Sequence, residues 1–191
     1  LIPFAQKHKL KIGTIRDLIA YRRRNDHMIE RRAEVGFTSQ WGGDWRAISF
    51  YNRATDSETI ALAKGHVSAD TPTLVRMHQT SLFADFFGEA GPRSGLLARS
   101  MEMIGEAGAG IVVLINRRQS DGYSRTIRAR SEGLSKVIQT AEELRDYGTG
   151  AQILSELGVH DMILLTNTRH NLIALDGYDL SVVEERAITG S

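Results

Sequence analysis

The 191-residue chain contains no cysteine. That absence excludes disulfides, thiolate metal sites and a cysteine nucleophile together. A charge imbalance is missing too: 24 Lys and Arg stand against 23 Asp and Glu, a net charge of +1. No global field therefore draws the chain to nucleic acid or to an anionic membrane. No apolar run approaches the ~20 residues that span a bilayer. The first residue is Leu1 rather than methionine, and LIPFAQKHKLKIG holds no apolar signal core followed by a small-residue cleavage site. These absences predict a piece of something longer, cytoplasmic, with neither nucleic acid nor membrane as partner. What is present is ordinary. Hydrophobic residues at 41% and charged residues at 25% suit one sizeable globular domain, or a domain with an appended segment.

Residues 14–32 (TIRDLIAYRRRNDHMIERR) place Ile15, Leu18, Ile19 and Arg22 at helical spacing, with Thr14 as N-cap and Asp17 three residues on. Arg22–Arg24 with Arg31 and Arg32 form a basic run that Asp26, Glu30 and Glu34 interrupt, which reads as a solvated linker face. QWGGDW marks a tight turn, after which RAISFY, ETIALAKGHV and TLVRMH read as the strands of a meander. Beyond Gly88 the period changes. Leu97, Met101 and Ile104 share a helical face, and GIVVLIN follows as a buried strand. A helix-prone stretch broken at Gly133 comes next, then GAQILSELG as an amphipathic helix, MILLT as a strand, NLIALDGYD as a short helix and LSVVEE as a last strand. This alternation predicts an α/β fold, a mixed β-sheet with flanking helices and a parallel core.

GEAGAG (105–110) has the look of a nucleotide-binding loop, but its glycines follow a helix and precede a strand. A dinucleotide loop needs the reverse order, so this is a helix C-cap and turn. His78, Asp85 and Glu89 are a weak metal-ligand set by spacing alone; a partly buried, hydrogen-bonded histidine is the commoner outcome. Arg117, Arg118, Arg125, Arg128 and Arg130 follow the GIVVLIN strand, either as a phosphate site or as a solvated face balanced by Asp121 and Glu132. In EELRDYGTGAQILSELGV, Asp146 and Gly148 stand just before the predicted helix and Thr149 caps it, beside Arg145. Exposed amides there would suit an anion.

Three stretches carry a family resemblance. RDYGTGAQILSELGV with MILLTN resembles the C-terminal half of GTP cyclohydrolase II, an enzyme of riboflavin biosynthesis. ALAKGHVSADTPTLVRMH is similar to that family's strand leading into its catalytic segment. FAQKHKLKIGTIRDLIAYRR resembles the end of a dihydroxybutanone-phosphate synthase domain and its linker, as in fused bifunctional enzymes. The resemblance implies a synthase tail and helical linker over 1–35 and a cyclohydrolase-like domain over 36–191. It also implies a homodimer and a fused or associated synthase domain as partners.

The family holds zinc with three cysteines and uses it to activate water, opening the imidazole ring of GTP; zinc lowers the water's pKa to about 7. The family's R-V-H-S-E-C-L-T-G-D reads here Arg76-Met77-His78-Gln79-Thr80-Ser81-Leu82-Phe83-Ala84-Asp85, so the first ligand is Ser81. The R-C-D-C-G run aligns with Gly91-Pro92-Arg93-Ser94-Gly95. Neither proline nor serine replaces a thiolate. Of the R-Q-E-G-R-G-I-G loop only Arg118 and Gln119 match, and no tyrosine lies between Tyr123 and Tyr147 to serve as the family's acid/base residue. The catalytic aspartate is Glu143, the catalytic arginine survives as Arg145, Thr166 and Asn167 remain, and a phosphate lysine has become Asn171.

The resemblance therefore implies Arg145 and Glu143 at the catalytic positions, with Arg76, His78, Arg118 and Thr166 binding substrate. No metal ligand survives, so no cofactor is expected. The leading expectation is a domain without zinc-dependent activity that acts as structural or regulatory partner of the synthase. One alternative is a rebuilt nucleotide hydrolase using His78, Asp85, Glu143 and Arg145. Another is a GTP- or flavin-sensing module built on Arg76, Arg118, Arg145 and Thr166.

Overall fold

The computed structural model describes residues 1–15, 17–18, 21, 28–68, 70–115, 122–133, 141–168 and 178–189, and of 141–146 the backbone alone. Seven strands form one sheet: β1 Ile29–Ser39, β2 Gly43–Asn52, β3 Ser57–Lys64, β4 Thr73–Gln79, β5 Gly110–Ile115, β6 Asp161–Leu165 and β7 Ser181–Arg186. Their spatial order is β1-β2-β3-β5-β4-β6-β7. The helices are α1 Ile2–Lys7, α2 Leu96–Ala107, α3 Gly122–Ser131 and α4 Ala141–Glu156.

The first three strands are antiparallel neighbours; of the strands in the meander reading, β2 and β3 pair as it requires, while β1 lies outside it. β4 departs from it. β5 inserts antiparallel to β3, and β4 lies parallel to both β5 and β6. The reason lies in the sequence TLVRMHQ, whose first six residues are all buried. A strand covered on both faces belongs in the middle of a parallel array with helices above and below. α4 supplies one cover, packing Ala151, Ile153 and Leu154 with Ile48, Phe50 and Val75. α2 supplies the other, with Met101 and Ile104 against Trp45, Leu62 and Val112. The predicted α/β architecture and parallel core are both present.

Thr14 and Asp17 form the predicted helix start reciprocally: the Asp17 amide donates to Thr14 Oγ1 at 3.0 Å and the Thr14 amide to Asp17 Oδ2 at 3.1 Å. The helix reading fails at its far end, because residues 29–32 already belong to β1. There the charges pair across strands, Arg53 with Glu30 and Arg32 with Glu58. The break at Gly133 is present, with φ 68°, as is the C-cap at Gly108, with φ 79°. Most of NLIALDGYD lies outside the described residues.

A second correction concerns α4. It begins at Ala141, so Gly148 and Thr149 lie inside it rather than at its start. No helix N-terminus faces an anion there. Thr149 Oγ1 instead accepts a hydrogen bond from Asn52 Nδ2 at 2.9 Å, and the glycine at 150 lets the helix settle on Met77, whose Cε would stand 2.1 Å from an added Cβ. The glycines of this helix thus serve close packing.

The hairpin turn and α2 meet through glycines as well. A Cβ on Gly105 would lie 2.4 Å from the Gly42 Cα. Gly105→Ala gains ~1 kcal/mol of helix propensity, but the backbone must move and overpacking costs about 1–3 kcal/mol. The expected outcome is a lower denaturant midpoint with unchanged m-value, read by urea titration.

Candidate functional site

Arg76 and His78 sit two apart on β4 and so project to the same face of the sheet. Both are interior side chains, at 9% and 1% exposure. Arg76 Nη1 donates to the Leu165 carbonyl at 2.9 Å, which brings the guanidinium to the end of β6, next to Thr166. Thr166 is buried too, with its hydroxyl donating to the Thr168 carbonyl at 2.8 Å and accepting from the Thr168 amide at 3.2 Å. Three of the expected binding residues are therefore gathered at one end of the parallel strands. This is where open α/β sheets present ligands.

After β4 the chain turns through Leu82–Phe86 in a single π-helical turn. Ser81 caps it, its Oγ accepting from the Ala84 amide at 3.2 Å. Asp85 folds back beneath. Its Oδ2 lies 2.9 Å from His78 Nε2 and accepts from the Ser81 amide at 2.6 Å. Arg93 closes the segment by donating to the Gln79 carbonyl. Glu89, four residues past Asp85, turns away to pair with Arg130, whose guanidinium also stacks 4.2 Å over the Phe83 ring. The weak metal set His78, Asp85 and Glu89 is thus not assembled, and no three His, Asp or Glu side chains among the described residues gather to hold an ion. His78 is the buried, hydrogen-bonded histidine of the plainer reading.

Electrostatics follow from this packing. Burial alone would raise the Asp85 carboxyl, but the His78 and Ser81 hydrogen bonds, with the His78 and Arg93 charges, outweigh it and hold the group below the ordinary aspartate value. Burial lowers Arg76 from the usual arginine value; Tyr147 and Asp85 oppose that effect and Arg93 adds to it. Arg76 Nε and His78 Nδ1 are buried with no hydrogen-bond partner among the described residues.

Arg118 lies outside the described residues, and so do the side chains of Glu143 and Arg145, whose backbone belongs to the first turns of α4. Arg93 and Tyr147 were not expected at the site, yet both act on Arg76. For the Asp85 fold-back a local signal existed: a serine cap followed four residues later by an acid, close kin of the capping box. Nothing in the spacing around Pro92 pointed to Arg93.

The GTP cyclohydrolase II family model matches residues 30–187. The riboflavin biosynthesis protein RibBA of Aquifex aeolicus is 36% identical over 198 residues, covering 96% of this chain and 48% of that protein. RibBA of Bacillus cytotoxicus is 37% identical, covering 96% of this chain and 49% of its own length. The chain thus spans about half the length of the curated relatives it matches. Among solved structures, RibBX of A. baumannii, a two domain 3,4-dihydroxy-2-butanone 4-phosphate synthase, superposes with a TM-score of 0.60 at 29% identity, covering 98% of this chain and 48% of that one.

Asp85→Asn keeps the shape and removes the charge. A carboxyl held low in the folded state contributes stability above its unfolded value of ~3.9, lost as pH falls through the lower folded value. The variant should be ~1–3 kcal/mol less stable at pH 7, and the gap to the parent chain should close on acidification below pH ~4. Urea midpoints from pH 7 to pH 3 measure both effects.

Proposed function

We infer the role of this domain from one premise: the chain belongs to the GTP cyclohydrolase II family. Its role is that of a structural or regulatory partner to a fused or associated dihydroxybutanone-phosphate synthase domain in riboflavin biosynthesis, as a cytoplasmic homodimer, with zinc-dependent opening of GTP given up. The observation that carries this reading is the closed hydrogen-bond set at Asp85. Zinc needs several N, S or O donors converging on one point. Here His78 Nε2 and Asp85 Oδ2 are spent on each other. Ser81 Oγ is spent on the Ala84 amide and Glu89 on Arg130. The residues present do not fit the ion.

The division into a synthase tail with linker and a cyclohydrolase-like domain belongs to the same proposal, with the boundary moved from residue 35 to the start of β1 at Ile29, since the strand is continuous through residues 35 and 36. In its support, the apolar side chains of Ile2, Phe4, Leu10, Ile12, Ile15 and Leu18 all stand exposed, a density that soluble surfaces rarely leave uncovered. A synthase domain is the cover this reading supplies. The likeness to RibBX, a two domain 3,4-dihydroxy-2-butanone 4-phosphate synthase, supports it.

Purified protein supplied with zinc should release no formate from GTP and should carry substoichiometric metal by elemental analysis. Stoichiometric zinc with turnover would sink the proposal. In the parent protein, deleting the domain should change the synthase rate or its thermal stability; an unaltered synthase would remove the partner role.

One observation favours a second reading, retained binding of GTP or flavin. Arg76 Nε and His78 Nδ1 are buried with no hydrogen-bond partner among the described residues, and such atoms cost ~1–3 kcal/mol each unless something meets them. GTP at 100 times its Kd would then stabilise the domain by about 2.7 kcal/mol without turnover. A flat thermal-shift curve with GTP and with a flavin counts against binding.

A further inference from the structure

β1 terminates the sheet, and ten of its eleven residues, all but Arg32 at the bulge, pair with β2 on one side only. No other strand meets its outer edge among the described residues. Typical strands run ~5–6 residues, and proteins shorten, cover or charge such edges because open N–H and C=O rows recruit other strands. Here the edge is long and carries apolar side chains in solvent, Val35 at 62% and Phe37 at 38% exposure. Its charges are of both signs. Arg31 bonds to Glu34, and Glu34 also accepts from Arg46 at 3.1 Å. Strict alternation would put residues three apart on opposite faces, but the register shifts between Arg31 and Ala33. Both side chains therefore share the face on which their β2 partners, Phe50 and Ile48, enter the core.

We propose that β1 is the homodimer strand, its outer edge pairing antiparallel with the β1 of a second copy about a two-fold axis between Arg31 and Glu34. The proposal rests on the homodimer of the reading above and gives it a surface. A guard of one sign would repel any copy of itself. A couple of opposite signs is its own complement when the strand direction reverses, so Arg31 meets the other copy's Glu34 and Glu34 meets its Arg31. The same pairing satisfies the free backbone groups and lays Val35 and Phe37 beside the opening residues of the second strand. Surface exposure of the couple makes it a selector of partner more than a source of affinity.

Light scattering on a sizing column, run over a range of concentrations, tests this on the chain as it stands. The parent chain should dimerise. Arg31→Glu and Glu34→Arg should each weaken the dimer about tenfold or more, since each sets like charges across the axis. Mixed one to one, the two variants should recover the dimer, an all-acid couple now facing an all-basic one. Val35→Glu, which the same register sets opposite Glu30 of the second copy, should also weaken it. A parent dimer that none of these variants weakens, or variants that fail to recover on mixing, overturns the assignment to β1. A parent chain that stays monomeric throughout refutes the homodimer itself, and the strand pairing with it. Melting curves of the variants separate a lost contact from a lost fold.

Discussion

Everything in this domain depends on β4 being buried on both faces. A strand in that position must have parallel neighbours to satisfy its backbone, and helices must shield both sides. β5 and β6 meet the first demand and α2 and α4 the second. Once they do, any polar residue on β4 is carried into the interior, among them the two with titratable side chains, Arg76 and His78. Burying them is costly unless partners are found. The Leu165 carbonyl takes up one and the Asp85 carboxylate the other. The folding back of the segment after β4 follows from that demand.

A site of this kind can be retained for reasons of architecture after its chemistry has gone. Arg76, His78 and Asp85 each occupy a position that the resemblance connects with GTP turnover, yet each also answers a burial problem set by the sheet. Residues that solve both kinds of problem are held by the second when the first disappears. Ser81 illustrates the converse. At a position the resemblance gives to a metal ligand, the hydroxyl now caps a helical turn, a task that serine performs well and a zinc thiolate does not.

Much of the fold was legible because its signals are local. The capping box at Thr14 and Asp17, the apolar face of Leu97, Met101 and Ile104, and the unbroken apolar run of β5 are statements about neighbours in sequence. What escaped was set by distant contacts. Gly148 and Thr149 look like a helix start because glycine and threonine favour ends, but α4 runs through them, with Asn52 bonded to Thr149 and Met77 packed on Gly150, both far away in the chain. The place of β4 was missed for the same reason: the chain order of strands invites a continued meander, while total burial demands a central position. At the site, Arg76, His78 and Thr166 were found through motifs. Arg93 was not, because its contribution arises from a loop closing on Gln79.

The insertion of β5 between β3 and β4 also bears on how the sheet can be assembled. Four strands leave the ribosome before the fifth, and neither β3 nor β4 has its native inner neighbour until residues 110–115 arrive. A nascent chain that ends in α2 therefore holds two apolar strand edges with nothing correct to pair with, and their most accessible partners are each other. Native pairing must wait for, or be undone by, a strand that threads the middle. Such non-local ordering is slow and exposes edges while it lasts. The rate-limiting event in folding this domain should accordingly be the seating of Ile111, Val112 and Val113, at the centre of the finished sheet.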